Sequence, residues 1–162
     1  MSNEVAIIEE NLPASEQTNE ISTFEIAGQL IGIPVLEVED VLNPMSLTHI
    51  PLSKSEIAGL LNLRGRIVTV IDMRVKFGLD KFDNPEDQMS IVVSKDDELY
   101  SLLVDKVGDV MNLSVKKFEA NPANLDPRWA EVSNGVFRLQ EKILVVLNVE
   151  KLLEYSADKD NS

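Results

Sequence analysis

The chain has no cysteine, which removes disulfide frameworks, thiolate nucleophiles, cysteine-ligated metals and thiol redox switches together. Histidine occurs once, as His49, among Thr48, Ile50 and Pro51, in what reads as a strand end or loop. As a metal ligand it would need carboxylates from elsewhere in the chain, and the sequence calls for no metal and no other cofactor. There is no G-x-S-x-G nucleophile elbow, no G-x-x-x-x-G-K-[ST] phosphate loop and no G-x-G-x-x-G dinucleotide turn. Basic residues are scarce: 15 against 28 acidic ones, a net charge of −13 that repels phosphate backbones and anionic lipid headgroups. Long apolar runs are missing too, since 67–71 and 143–147 fall far short of a membrane span. Residues 1–20 carry Glu4, Glu9, Glu10, Glu16 and Glu20 with no Lys or Arg, the opposite of a secretory signal. These absences point to a cytoplasmic, non-catalytic protein that inserts in no membrane and binds no nucleic acid.

What is present suits a globular domain. The 162 residues are 44% hydrophobic and 27% charged, and a chain of this length buries roughly 70% of its unfolded surface. Residues 1–20 read as a flexible acidic arm, 21–155 as the folded part and 156–162 as a flexible tail. Short β-type runs dominate, at 22–27, 30–35, 38–42, 67–71, 90–93, 99–104 and 143–147. Helical stretches are few, at 73–77, 127–132 and 149–155. Trp129, beside Pro127 and Arg128, reads as a pin holding a short helix or loop onto a barrel rather than as a ligand contact. The acidic groups Glu86-Asp87 and Asp96-Asp97-Glu98 read as solvated hairpin tips rather than cation ligands.

The chain also repeats itself. IGIPVLEVEDVLN (31–43) aligns with YSLLVDKVGDVMN (100–112) at a constant offset, 107 − 38 = 69. GLLNLRGRIVTVIDMRVKFGL (59–79) aligns with GVFRLQEKILVVLNVEKLLEY (135–155) at 135 − 59 = 76. The two blocks keep their order, and one loop insertion accounts for the change of offset. The copies share an apolar framework and differ at one turn: Asn62-Leu63-Arg64-Gly65 in the first against Arg138-Leu139-Gln140-Glu141 in the second. A glycine there permits a positive φ or a close approach that Glu141 resists.

The block 57–79, with its N-L-R-G, its I-V-T-V-I-D-M-R and its F-G-L, resembles the signature of the CheW-like chemotaxis coupling proteins. The resemblance extends through 31–33, 38–41, 104–110 and 145–153, and so covers almost everything but the tails. It implies a mainly β fold, an internally duplicated pair of SH3-like five-stranded barrels with short helices. It also implies an adaptor that is not an enzyme, sitting at receptor arrays beneath the inner membrane. The implied partners are the cytoplasmic tip of methyl-accepting chemoreceptors and the regulatory domain of a CheA-type histidine kinase. Another reading within the family is an adaptor for a different kinase pathway, such as surface motility; a small-ligand-binding β-barrel sensor is the alternative outside it.

In the family the receptor tip lies in a groove between the barrels, and the matching positions here are Val38, Gly59, Leu63, Arg64 and Gly65. Asp40 stands where the family commonly has glutamate, keeping the charge on a shorter arm. Each residue also has a plain structural reading. Arg64 can pair with Asp72 or Asp40 to hold its loop, or it can take a partner's carboxylate. Gly59 and Gly65 suit turns, and Val38 suits a core.

Overall fold

A computed structural model describes residues 18–43, 57–81, 83 and 87–155. His49, Glu86, the tail 156–162 and residues 1–17 of the acidic stretch lie outside the described residues. The first copy runs β1 (Thr18–Ile26), β2 (Gln29–Pro34), one 3-10 turn (Val35–Glu37), β3 (Val38–Leu42), β4 (Ile57–Leu63), β5 (Arg66–Asp72) and α1 (Met73–Lys76). The second runs β6 (Met89–Lys95), β7 (Glu98–Val104), β8 (Lys106–Ser114), a 3-10 turn (Val115–Lys117), the short β9 (Phe118–Glu119), α2 (Pro127–Val132), β10 (Ser133–Arg138), β11 (Ile143–Leu147) and α3 (Val149–Glu154). β1 begins at Thr18, inside the stretch read as an arm, because Thr18, Asn19 and Glu20 pair with Ser114, Leu113 and Asn112 of β8.

Local chemistry repeats between the copies. The β1–β2 turn holds Ala27 and Gly28 at φ +51° and +82°, and the β6–β7 turn holds Asp96 and Asp97 at +52° and +66°. Two left-handed residues in a row match the twist of the flanking strands, so both are tight hairpin tips. Asp72 caps α1 by accepting from Val75 N at 3.2 Å, and Asn148 caps α3 by accepting from Lys151 N at 3.0 Å.

Pairing repeats residue by residue. Thr69↔Tyr100 in the parallel β5–β7 ladder corresponds to Val145↔Ile31 in the parallel β11–β2 ladder. Val38↔Val93 and Val41↔Ile91 correspond to Val107↔Phe24 and Val110↔Ser22. Even the bulge at Gly59, between Ile57↔Ile71 and Gly59↔Val70, recurs at Gly135 between Ser133↔Leu147 and Gly135↔Val146. At Gly135 a Cβ would collide with the Phe118 ring and lie 2.6 Å from Glu119 O, so only glycine lets β9 close on β10.

The copies are nevertheless not the two sheets. One sheet has the order β8-β1-β2-β11-β10-β9, the other β3-β6-β7-β5-β4. Each takes its first hairpin from one copy and its remaining strands from the other, so the repeats are interlocked. Strands at or next to the edges of each sheet curl together around a small apolar cluster. In one, Leu42 of β3 packs with Leu61 and Leu63 of β4, around Val68, Val70, Val92 and Leu99. In the other, Leu113 of β8 packs with Phe137 of β10, around Ile21, Leu144 and Val146. These are the two barrels. Their outer faces share a larger core that includes Phe24, Ile31, Ile33, Ile91, Leu102, Val145 and Leu147. Full burial of each such side chain contributes roughly 1.5–3 kcal/mol. α2 closes one end of this core, where Trp129 lies 4.5 Å from the Phe77 ring, as a pin should.

A bidentate ion pair crosses from barrel to barrel. Arg74 of α1 donates from Nε to Asp105 Oδ1 at 2.8 Å and from Nη2 to Asp105 Oδ2 at 2.7 Å. Asp105, between β7 and β8, also accepts from Ala27 N at 2.8 Å. The carboxylate holds the Arg74 guanidinium even more firmly in its charged form. The two side chains are 19% and 8% exposed.

Two predictions follow from packing. Arg74→Ala leaves Asp105 nearly buried without its charge partner and is expected to lower unfolding free energy by about 3 kcal/mol in urea titrations. The second concerns the barrel interiors, where Ser90 and Ser101 of one barrel occupy the places of Ile21 and Gly32 in the other. Ser101 Oγ is buried without a hydrogen-bond partner, while a Cβ on Gly32 would strike Ile21 and lie 3.2 Å from Leu144. Ser101→Ala should therefore leave the melting temperature unchanged or raised, and Gly32→Ala should cost about 1–3 kcal/mol by overpacking.

Candidate functional site

β3 reaches its position through a bulge: Val38 pairs with Val93 and Asp40 with Val92, leaving Glu39 without an opposite residue. The bulge aims the Asp40 side chain along the rim of the first barrel. Its Oδ1 accepts from Val41 N at 2.9 Å, and its Oδ2 accepts from Arg64 Nη2 at 2.7 Å. Arg64 sits at the β4–β5 turn, where Arg64 and Gly65 have φ of +52° and +85° and Asn62 Oδ1 accepts from Gly65 N at 2.9 Å. That turn needs two left-handed residues, and glycine supplies the second without strain. Arginine holds the first at nearly the same φ as Ala27 and Asp96 in the β1–β2 and β6–β7 turns.

β3 and β4 are the opposite ends of the five-strand order, so the Asp40–Arg64 bond clasps the two edges of the sheet. The Arg64 side chain is 75% exposed against 23% for Asp40. So exposed a pair contributes little to stability, roughly 0–1 kcal/mol. What it does is orient a guanidinium whose remaining N–H donors face solvent, in a fork that suits a carboxylate or carbonyl.

The second barrel has no such clasp. Its equivalents of Asp40 and Arg64 are Asp109 and Gln140, and the β10–β11 turn closes through Leu139 N to Lys142 O at 2.8 Å with no left-handed residue. A second asymmetry lies where the barrels meet. Asp105, which holds Arg74, corresponds to Leu36 in the first copy, and Arg74 corresponds to Glu150. One junction is thus closed by an ion pair, whereas at the other Leu36 stands 99% exposed. Pro34, at φ −52°, ends β2 and starts the single 3-10 turn that turns Leu36 outward. Val41 on β3 is exposed as well. Desolvation raises the Glu37 carboxyl above its ordinary range at the end of the same turn.

The structure brings Asp40, Leu63, Arg64 and Gly65 together on the clasped rim. Of the two intramolecular partners open to Arg64, it takes Asp40; Asp72 is occupied as the cap of α1. Val38 lies on the other side of the sheet, half-buried against the shared core, while Leu63 packs against the first barrel's own cluster. Gly59 is buried on β4, not in a turn, and pairs with Val70 directly after the bulge that leaves Ala58 without an opposite residue. Leu36 is not among the candidate residues that the sequence offers, although the aligned copies set it against an aspartate. Among the described residues no three His, Asp or Glu side chains could hold a metal ion. No helix among them is long and apolar enough to cross a membrane.

Turn and clasp can be separated by mutation. Arg64→Asn keeps a residue that tolerates the left-handed conformation and removes the ion pair, so unfolding free energy should fall by less than about 1 kcal/mol. Gly65→Val forces a β-branched residue to a positive φ and should cost clearly more, on the order of 1–3 kcal/mol, in the same titration.

Residues 20–157 match the model of the CheW-like domain. The chemotaxis protein CheW of Klebsiella aerogenes is 31% identical over 134 residues, spanning 83% of this chain and 81% of that protein. That of Thermotoga maritima is 27% identical over 135 residues, 83% of this chain and 87% of its own. Protein PilI of Pseudomonas aeruginosa is 26% identical over 122 residues, 75% and 68% of the respective chains. Among solved structures, the scaffolding protein TtCheW of Thermoanaerobacter tengcongensis superimposes with a TM-score of 0.72 at 28% identity, covering 81% of this chain and 89% of that one. Matched by the family model over residues 20–157 and 31% identical to a CheW across most of both chains, the chain belongs to the CheW-like domain family.

Proposed function

We propose that the chain is a non-catalytic chemotaxis adaptor that couples the cytoplasmic tips of chemoreceptors to the regulatory domain of a CheA-type histidine kinase. It works in the cytoplasm, at receptor arrays. The observation that carries the reading is the asymmetry of two otherwise equivalent barrels. Only the first has a clasped rim with an outward guanidinium, and the 3-10 turn before its β3 exposes Leu36. A helical hairpin laid along that side would bury Leu36 and Val41 and meet Arg64 at its polar rim. Val38 and Gly59 then act from beneath, holding β3 and β4 in place, while Leu63 and Gly65 shape the turn that carries Arg64. The adaptor alters signalling only so far as it binds two kinase states unequally. Weak single contacts gain strength from the many copies in an array.

The likeness to Protein PilI, which is not named for chemotaxis, favours a second reading in which the same surfaces serve another kinase pathway, such as surface motility. Titrating the chain with kinase regulatory domains and receptor-tip fragments from each pathway separates the two.

The role of Arg64 is tested by exchanging its charge with that of Asp40. Arg64→Asn should weaken receptor-tip binding on the order of tenfold or more, the loss of one charge-assisted hydrogen bond. The double variant Asp40→Arg/Arg64→Asp restores an ion pair but moves the cation, and it should stay as weak. If the exchange recovers full affinity in isothermal titration, the clasp is only structural and Arg64 makes no contact. Unchanged binding in Arg64→Asn would remove the rim from the receptor surface altogether.

A further inference from the structure

The rim that Arg64 and Asp40 clasp in the first barrel is open in the second. There a cavity of about 620 Å³ lies between β8 and the β10–β11 turn. Its apolar lining is Met111 and Leu113 from β8 with Phe137 and Leu139 from β10 and the turn. Its rim carries Lys117, Arg138 and Lys142 against the single acid Glu141. Arg138 pairs with Glu119 at 3.2 Å, while Lys117 and Lys142 make no ion pair among the described residues. In a chain of net charge −13, three cations around an apolar floor are a local inversion of sign. Such a site fits a short peptide that is apolar in the middle and acidic at both ends.

Such a segment lies in this chain. Residues 4–10 read Glu-Val-Ala-Ile-Ile-Glu-Glu, and residues 1–17 contain no Lys, Arg or His. The fold delivers them to the right place: β1 enters at Thr18, opposite Ser114, and Ser114 leads through the 3-10 turn to Lys117 on the cavity rim. The 17 − 8 = 9 residues from Glu9 to Gln17 span up to about 30 Å when extended, ample for an opening beside their exit point. We propose that residues 4–10 occupy the mouth of the second barrel in the same molecule, Ile7 and Ile8 entering between Leu113 and Leu139 while Glu4, Glu9 and Glu10 meet Lys117, Arg138 and Lys142. The contact is self-occupying: a partner that uses this mouth must first displace the arm, and its apparent affinity falls by the fraction of molecules in which the mouth is filled.

The absence of cysteine makes the test direct. Asn3→Cys in the full chain takes one nitroxide spin label, and amide signals of the ¹⁵N-labelled protein report which residues it approaches. The expected result is selective broadening at Met111, Leu113 and Leu139, reversed when the nitroxide is reduced. It should be lost in Ile7→Glu/Ile8→Glu, which leaves every described strand untouched, and in Lys117→Glu/Lys142→Glu, whose amide dispersion confirms the fold. Absent or evenly spread broadening overturns the proposal, as does broadening that survives both double variants. Mixing spin-labelled ¹⁴N protein with unlabelled ¹⁵N protein covers the remaining occupant. Broadening of the same residues there means that the arm of a second copy fills the mouth, and the intramolecular assignment is wrong.

Discussion

The bidentate bond between Arg74 and Asp105 is the constraint on which the arrangement of the two barrels rests. The apolar core between them contributes more free energy, but apolar contact is non-directional and tolerates small rotations. The ion pair does not. It ties α1, which follows β5 of the first barrel, to the β7–β8 junction. The same carboxylate fixes the β1–β2 turn of the second barrel through Ala27 N, and Asp105 N donates to Glu25 O at 3.0 Å. Groups from both barrels therefore meet on one nearly buried carboxylate. An adaptor that must present surfaces at a set angle needs a tie of this kind.

Duplication supplies the frame, and divergence supplies the differences that matter. The pseudo-equivalent junction replaces the aspartate by Leu36 and the arginine by Glu150, so it cannot close in the same way. Glu150 instead lies 3.6 Å from Lys95, an exposed contact of little energetic weight. The rims diverge likewise, clasped by Asp40 and Arg64 in one barrel and open above Phe137 in the other. Each barrel thus keeps the same ladder, the same bulge and the same capped helix while offering the solvent a different face. Interlocking guards this arrangement. Because each sheet takes strands from both copies, the backbone ladders themselves join one copy to the other.

Much of the fold was legible in the residues. The runs 38–42 and 143–147 became β3 and β11 with those bounds, and the helical stretch 127–132 became α2. The offsets of 69 and 76 held through three ladders and a bulge. β4, β10 and β8 are absent from the strand runs read in the sequence: β4 and β10 are each broken by a bulge at a glycine, and the exposed edge Lys106–Ser114 has no strict alternation to reveal it. The acidic start likewise concealed that Thr18, Asn19 and Glu20 extend β1, because polar side chains do not prevent backbone pairing. At the candidate site, Arg64 and Gly65 were recognisable by type, but which carboxylate Arg64 would take was not.

The sequence by itself determined what is local: β content, a tight turn at Gly65, the three short helical stretches and the existence of two equivalent copies. Periodicity and turn chemistry act over a few residues, so they can be read from neighbours alone. Only the tertiary structure decided that β3 leaves its own hairpin for β6, that β3 and β4 meet through Asp40 and Arg64, and that Leu36 stays outside. Backbone ladders are generic, and any strand of suitable length offers the same donors and acceptors. The choice of partner is made by which faces fill a common core, a property of the whole chain that no local pattern contains.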